Sequence, residues 1–573
     1  MAQAATRGGT EKLSVIISVE QNKRQSLKQF LRARGHRMRW DLPVMSGVSA
    51  EIPAAAIQQI ANLPGVARVS IDALVRSSQT TSIDAEPLYE DTTFSSQDSS
   101  ASPTSGAPSP IATTTLFHDA WLVRAALGLD QWRRDADTNL DASIAVYDDT
   151  DSDFDVTGAG VGVAVIDSGI APVADSGGRI TAFYDFTRGG IATAPRDDYG
   201  HGTHVASLIG GAGRPEAPYA AGIAPRVRLI GLKVLNHEGA GTTSDVIAAL
   251  EFATLNKAAL GIDIINLSLG HPPFEPAATD PLVQAVQRAS AAGILVVASA
   301  GNFGVNPTTG QTGFGGISSP GNAPSALTVG SGHMRWTVLR GDDTVNNFSS
   351  RGPTWYDGFA KPDVVAPGYR LVAAAAPNST LVNARAALLV ADATGTHTYI
   401  ALSGTSMAAA VASGMAALTI EANRNPTRPR LTPNAIKAIL QFTAFTMRDD
   451  TSAAYHALIQ GAGGLNGVGA LRLAAAIDTS APAGAYWLTG AIDPHEQLAG
   501  EVLSWTQTLV WRQNIVWGDT IYKNFWGQNI VWGDNIVWGD NIVWGDNIVW
   551  GDNIVWGDNV VWGDSFAWND YQE

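Results

Sequence analysis

Residues 198–207 read DYGHGTHVAS and set two histidines, His201 and His204, three positions apart. On a helix that spacing puts both imidazoles on one face. Two chemistries fit such a pair. Some zinc sites begin this way, but they need further ligands and often a bound water. A single histidine can instead move a proton near neutral pH. The stretch alone leaves both open, although no third ligand stands at a matching spacing elsewhere in the chain. The chain has no cysteine, which excludes thiolate ligands, thiolate nucleophiles and disulfides.

Other polar residues stand where apolar runs end. Asp167 closes the run VAVID, Asn302 follows VVASAG, and Ser406 opens the helix-forming stretch TSMAAAVASGMAALTIEA. Singly, each has an ordinary use. Asp167 suits a helix cap or a ribose contact, Ser406 an N-cap, and Asn302 a turn. Jointly they suit acyl transfer. A serine hydroxyl becomes nucleophilic when a neighbouring base takes its proton. A carboxylate holds the imidazole in one tautomer and stabilises its cation. A helix N-terminus and a side-chain amide supply donors to the oxyanion.

These groups need a scaffold that brings distant strand ends to one rim. Between about 116 and 480, the runs 161–167, 227–235, 261–269, 294–301 and 326–331 are short and apolar, with helical stretches 243–256 and 281–293 between them. That alternation predicts an α/β fold, a mostly parallel sheet with helices on both faces. Ligands bind at the carboxyl ends of such strands.

Four domains are expected: a head at 1–80, a linker at 81–115, the α/β body at 116–480 and a tail at 481–573. In the head, residues 12–77 alternate strand and helix patterns and predict a small α+β module. The linker is rich in Ser, Thr, Pro and acids and too poor in apolar residues to order itself. The tail repeats NIVWGD six times from 514 to 558 and then NVVWGD at 559–564. An even period keeps every repeat in the same strand orientation, with Ile, Trp and Asp on one face. This predicts a β tail, either a stacked solenoid or an added strand.

The net charge of −16 is unevenly spread, about +6 over residues 1–77 and −12 over 78–160. A basic head beside an acidic neighbour can dock electrostatically. The acidic chain has no basic stripe, which argues against a nucleic-acid partner. No apolar run reaches the roughly 18 residues of a membrane span. No signal peptide is visible at MAQAATRGGT.

With these motifs assembled, the chain resembles a subtilisin-like serine peptidase of the subtilase family. VAVIDSGI, GHGTHVA, INLSLG, SAGN, FSSRGP, KPDVVAPG and SGTSMA follow in family order across roughly 116–480. The resemblance implies Asp167 as orienting acid, His201 as general base, Ser406 as nucleophile and Asn302 as oxyanion donor. It gives Ser268, Leu269 and Gly270 as a strand edge for the substrate, and Ser299, Ala300 and Gly301 as the opposite wall of the cleft. It makes His204 structural and implies no metal in catalysis. SGVSAEIP and LPGVARVSID resemble the inhibitor-type prosegment of these enzymes, which implies a self-processing zymogen cut near Arg76–Thr81. The expected partners are protein or peptide substrates and the chain's own prosegment, with self-association or surface binding through the tail. The expected location is secreted or cell-surface.

Three departures from the family pattern stand out. Ala410 replaces a usual proline. The stretch 210–222 lacks the asparagines of the family's calcium loop, so calcium is possible but its usual loop is not recognisable, and no cofactor is required. Ser319-Pro320 replaces an aromatic-Pro pair, which suggests a roomy pocket for an apolar or aromatic side chain. The alternative function is an adhesive or self-assembling protein whose protease core is idle.

Overall fold

The structure, a computed structural model, describes residues 11–78, 120–129, 156–213, 221–306, 309–391, 398–482, 486–511 and 514–516, with tail fragments at 537–538, 542–543, 549–550 and 554–555. The body is built on a nine-stranded sheet. Seven of its strands run parallel, in the order Val364–Pro367, Leu327–His333, Leu295–Ser299, Ile264–Leu267, Gly162–Asp167, Arg228–Lys233 and Ile180–Asp185. Two-residue antiparallel strands flank it at Thr344–Val345 and Ile191–Ala192.

The central strands are largely apolar because both faces are covered. Val163, Val165, Leu229, Ile264 and Val297 pack on the helices His201–Gly210 and Thr405–Ala422. The intervening Ala164, Ile166, Ile230, Ile265 and Val296 pack on Thr243–Leu255 and Pro281–Ala291. Alternate residues thus feed two separate cores, as the two-residue period of a strand requires. The helix Thr405–Ala422 is long and apolar enough by composition to cross a membrane, but it lies buried in the body core. Ala410 sits in it, fully buried.

The predicted strands and helices are present with ends shifted by at most three residues, the usual uncertainty of element boundaries. The body reaches beyond 480. Trp487, Leu488, Trp505, Leu509 and Val510 are buried in the same cluster as the helix Thr405–Ala422. The expected tail boundary therefore falls inside packed structure.

The head has one strand more than the simple alternating reading. Its sheet runs Arg37–Leu42, Gly47–Pro53, Lys12–Val19, Val66–Ile71, all antiparallel, with helices Arg24–Ala33 and Ala54–Ala61. Val15 and Ile17 point into the head's own core, and Ile16 between them packs with Leu42 and Met45 into a body core. The head is thus seated on the body by the second face of its sheet.

In the tail, Leu509–Trp511 pairs antiparallel with Asn514–Val516. Val537–Trp538 pairs with Ile542–Val543, and Val549–Trp550 with Ile554–Val555. The remainder of the repeats, and with it the expected solenoid, lies outside the described residues, as does the linker.

Candidate active site

Asp167 and His201 meet where the strand Gly162–Asp167 ends and the helix His201–Gly210 begins. His201 Nδ1 lies 2.8 Å from Asp167 Oδ1 and 2.9 Å from Oδ2, and both side chains are fully buried. The neighbouring sequence fixes this approach. A Cβ at Gly202 would stand 2.1 Å from Gly169 O, so only glycine lets the helix come this close. Ser168 Oγ accepts from Gly202 N (2.9 Å) and donates to Asp197 Oδ1 (2.9 Å). Asp197 in turn accepts from Gly200 N (2.7 Å), Thr203 N (2.8 Å) and Thr203 Oγ1 (2.7 Å). Gly200 is the N-cap of the histidine helix, and Asp197 takes up the otherwise free N–H of Thr203 in its first turn. Burial raises the pKa of Asp197, and the Thr203 and Gly200 donors oppose that shift.

The two histidines have different duties. His204 Nε2 donates to Leu371 O (3.0 Å) and Ile400 O (3.1 Å). Burial, then the neighbouring His201, pushes its pKa down to about 3, so the ring is neutral and structural. His201 Nε2 is buried with no hydrogen-bond partner among the described residues. Among those residues no group of three His, Asp or Glu side chains is arranged to hold a metal, and 214–220 of the stretch 210–222 lie outside them.

Ser406 is the second residue of its helix, and both its N–H and its hydroxyl face the head. Ser406 Oγ lies 2.7 Å from Ser78 O and 3.0 Å from Ser268 O, and Ser406 N donates to Ser78 O at 3.4 Å. The hydroxyl is turned to these carbonyls and makes no hydrogen bond with His201. Asn302 Oδ1 accepts from Thr405 N and Thr405 Oγ1, both at 3.0 Å. That leaves Asn302 Nδ2 buried and free to donate. Thr405 Oγ1 also accepts from Gly301 N (3.1 Å), so one threonine fixes the amide's orientation.

The head's last strand, Leu74–Ser77, lies in the cleft between two body strands. On one side Leu269 and Gly270 pair with Ser77 and Arg76, and Ser78 N donates to Ser268 O (3.1 Å). On the other side Ala240, Gly241 and Thr242 pair with Arg76, Val75 and Leu74. Ser268, Leu269 and Gly270 thus border the head strand along this side. Ser299, Ala300 and Gly301 make no backbone pairing with the head strand. Ala300 N and O bond to Val329 and Ser318, and Gly301 O bonds to Ser350. Gly270 and Gly301 both pack close to Ser318: a Cβ on either would fall 3.0 or 3.1 Å from Ser318 Oγ. The Ser319-Pro320 bond beside it is cis, and Ser319 Oγ donates to Asp280 Oδ2 (2.8 Å).

Sequence reasoning missed Ser168, Asp197, Thr405 and the edge Ala240–Thr242. The first three are small polar residues beside motif residues, and their partners lie on other segments. The edge strand is three residues with no alternation to read.

Residues 158–467 match the Subtilase family, Peptidase_S8. Serine protease AprX of Bacillus subtilis is 38% identical over 316 residues, which cover 54% of this chain and 66%, just under two thirds, of that protein. Subtilisin DY of Bacillus licheniformis is 32% identical over 292 residues, covering 51% of this chain and 86% of the relative. Among solved structures, fervidolysin from Fervidobacterium pennivorans, a keratinolytic enzyme related to subtilisin, superposes with a TM-score of 0.54 at 20% identity. That likeness covers 81% of this chain and 61% of fervidolysin, and it supports the fold.

Proposed function

The chain belongs to the subtilase family, and from that premise we propose that it is a serine endopeptidase made as a zymogen that cuts its own head from the cleft. The observation that carries this is the Ser78 carbonyl oxygen, 2.7 Å from Ser406 Oγ and within reach of Ser406 N. The head strand is held as a substrate would be, by backbone pairing on two edges, a mode that depends little on side chains. Val75, fully buried in a body core, gives it one apolar anchor.

In the reaction Ser406 Oγ rotates from the carbonyls to His201 Nε2 and loses its proton there as it attacks the Ser78 carbonyl carbon. Asp167 holds the ring by its Nδ1–H and stabilises the imidazolium. The oxyanion takes hydrogen bonds from Ser406 N and Asn302 Nδ2. His201 then gives the proton to the departing nitrogen of Gln79, and water releases Ser78 from the acyl-enzyme through the same base. The products are a head ending at Ser78 and a body beginning at Gln79. Protein substrates follow the same path once the cleft is clear. We further propose a secreted or cell-surface enzyme whose repeats serve attachment, assembly or substrate capture.

Mass spectrometry tests the central claim. Incubated wild-type chain loses residues 1–78, about 8 kDa of its 60.0 kDa, while Ser406→Ala remains whole. A fluorophosphonate probe labels the first and not the second. Equal processing of both would overturn the reading. Recovery from culture medium instead of lysate tests the location, and deletion of 517–573 with retained peptide cleavage but lost surface binding tests the tail.

A further inference from the structure

The helix of the nucleophile meets the sheet largely through small side chains. Ala408, Ala409, Ala410 and Ala412 are all fully buried. Apolar contact is non-directional, and alanines raise only low ridges to fix how far a helix slides along a strand. Yet Ser406 must meet its base and the oxyanion to within about 0.5 Å. A polar bracket crosses this interface. Asn266 and Ser268 stand two apart, on the face that Ile264 turns to the helix. Asn266 Nδ2 donates to Ser413 Oγ (3.0 Å), and Ser413 Oγ donates to Ala409 O (2.8 Å). Ser268 Oγ lies 3.0 Å from Ser406 O and 3.0 Å from Asn266 Oδ1, which share its one proton. Asn266, Ser268, Ser406 and Ser413 are all fully buried. Ser413 follows Ser406 by about two turns, so both lie on the face that the bracket grips. Ser268 O also takes the Ser406 hydroxyl (3.0 Å) and the Ser78 N–H (3.1 Å). The segment that aligns the scissile residue is thereby bonded to the helix that carries the nucleophile.

We propose that Asn266 and Ser413, acting through Ser268, are positioning residues that set the register of the nucleophile's helix against the substrate-aligning strand. This rests on the peptidase reading. A satisfied buried polar network specifies one arrangement where apolar packing tolerates several. Among the described residues neither Asn266 nor Ser413 bonds to the head strand. Their loss therefore leaves binding in place and slows the chemical step, because a small misplacement of the reacting hydroxyl is costly.

Asn266→Leu, which keeps the shape and removes both bonds, and Ser413→Ala test this in the full chain, with Thr419→Val as control. Thr419 Oγ1 donates to Met415 O (2.8 Å) and is equally buried, but that bond stays within the helix. Loss of the head is read first, as a first-order rate within one chain, where substrate affinity plays no part. Asn266→Leu and Ser413→Ala slow it about tenfold, and Thr419→Val stays within about twofold of wild type. On a quenched peptide the processed bodies of the first two show kcat lowered by about the same factor, with KM within about twofold of wild type. The double variant is within about twofold of Asn266→Leu alone, as for residues that act as one unit. Wild-type rates in both bracket variants, a raised KM with kcat unchanged, or an equal loss in Thr419→Val overturns the proposal. Where Asn266→Leu fails to fold, Ser413→Ala against Thr419→Val decides it. Fluorophosphonate labelling of the wild type separates the two failures. A labelled wild type beside unaffected variants refutes the bracket alone. An unlabelled wild type that keeps its head refutes the peptidase reading and the bracket with it.

Discussion

The body and the seam beneath the head bury carboxylates in opposite ways. In the body, Asp363 is gripped from every side. It accepts from Lys361 (2.7 Å), Lys437 (3.0 Å), Thr328 N (2.7 Å) and Gln441 Nε2 (3.1 Å), and all are buried. Burial pushes Lys361 down to about 7, against the pull of Asp363. At the seam, the carboxylates of the helix Thr243–Leu255 are covered by the head and meet mostly neutral donors. Glu251 Oε1 accepts from Met45 N (2.6 Å), and Asp245 Oδ1 from Trp40 Nε1 (2.7 Å) with Arg39 beside it. The head's own Asp72 accepts from Ser244 N (2.8 Å) and Ser244 Oγ (2.7 Å) at the start of that helix, where the helix dipole favours an anion. Under the self-processing proposed above, the difference separates a part held for good from a part held for release. A carboxylate locked between cations is costly to disturb, whereas one covered by a detachable lid is charged or neutral according to pH.

Four experiments break or sharpen this contrast. The largest effect falls on the body lock. Asp363→Ala leaves two buried ammonium groups without their counterion, and loss of one partner of such a set costs about 3–5 kcal/mol. Thermal unfolding of the processed body reads it, and an unchanged Tm would break the comparison. Next is a body residue outside both lock and seam. Asn302→Ala lowers kcat by about 10²–10³, the loss expected for one oxyanion donor, with head retention unmoved.

Asp72→Ala weakens the seam, and within the head it also removes the acceptor of Ser49 Oγ. Two charge-assisted bonds to Ser244 vanish, and the self-cleaved head elutes apart from the body at concentrations where the wild-type pair stays together. The affinity loss is about tenfold to a hundredfold. The smallest effect is the pH response. Burial raises Glu251 to about 7 under the head, against the Met45 N–H and the field of Arg288. Exposed after release, the same carboxyl returns toward the ordinary glutamate value of 4.5. The docked state therefore holds the proton better. Retention of the cleaved head is greatest below about 4.5, declines as pH rises through 7 and levels above it. Asp245, also raised by burial, adds with the same sign. Gel filtration at pH 5 and pH 8 shows the step, and Glu251→Gln flattens its upper part.

Much of the site was legible because its residues are tied to local pattern. Asp167, Asn302 and Ser406 each stand at the end of an apolar run or the start of a helix, so element ends predicted a shared rim. The opening ambiguity between His201 and His204 resolved for a tertiary reason. Leu371 and Ile400 supply the carbonyls that occupy His204, and nothing near it in sequence announces them. The rotamer of Ser406, turned to Ser78 and Ser268 and away from His201, is likewise set by the head strand in the cleft. The packed segment from 486 to 510 escaped notice because its apolar residues, scattered among polar ones, match no single period.

Composition and spacing by themselves determined an α/β body with an acid, a base, a hydroxyl and an amide at its strand ends, a small α+β head and a repeating tail. These follow from local periodicity, which a chain carries wherever it goes. The fold alone decided that the head's last strand is clasped between Ala240–Thr242 and Leu269–Gly270, that Ser168 ties Asp197 to Gly202, and that Leu371 and Ile400 hold His204. Each of these joins residues far apart in the chain or turns on burial, and both arise only when the layers close.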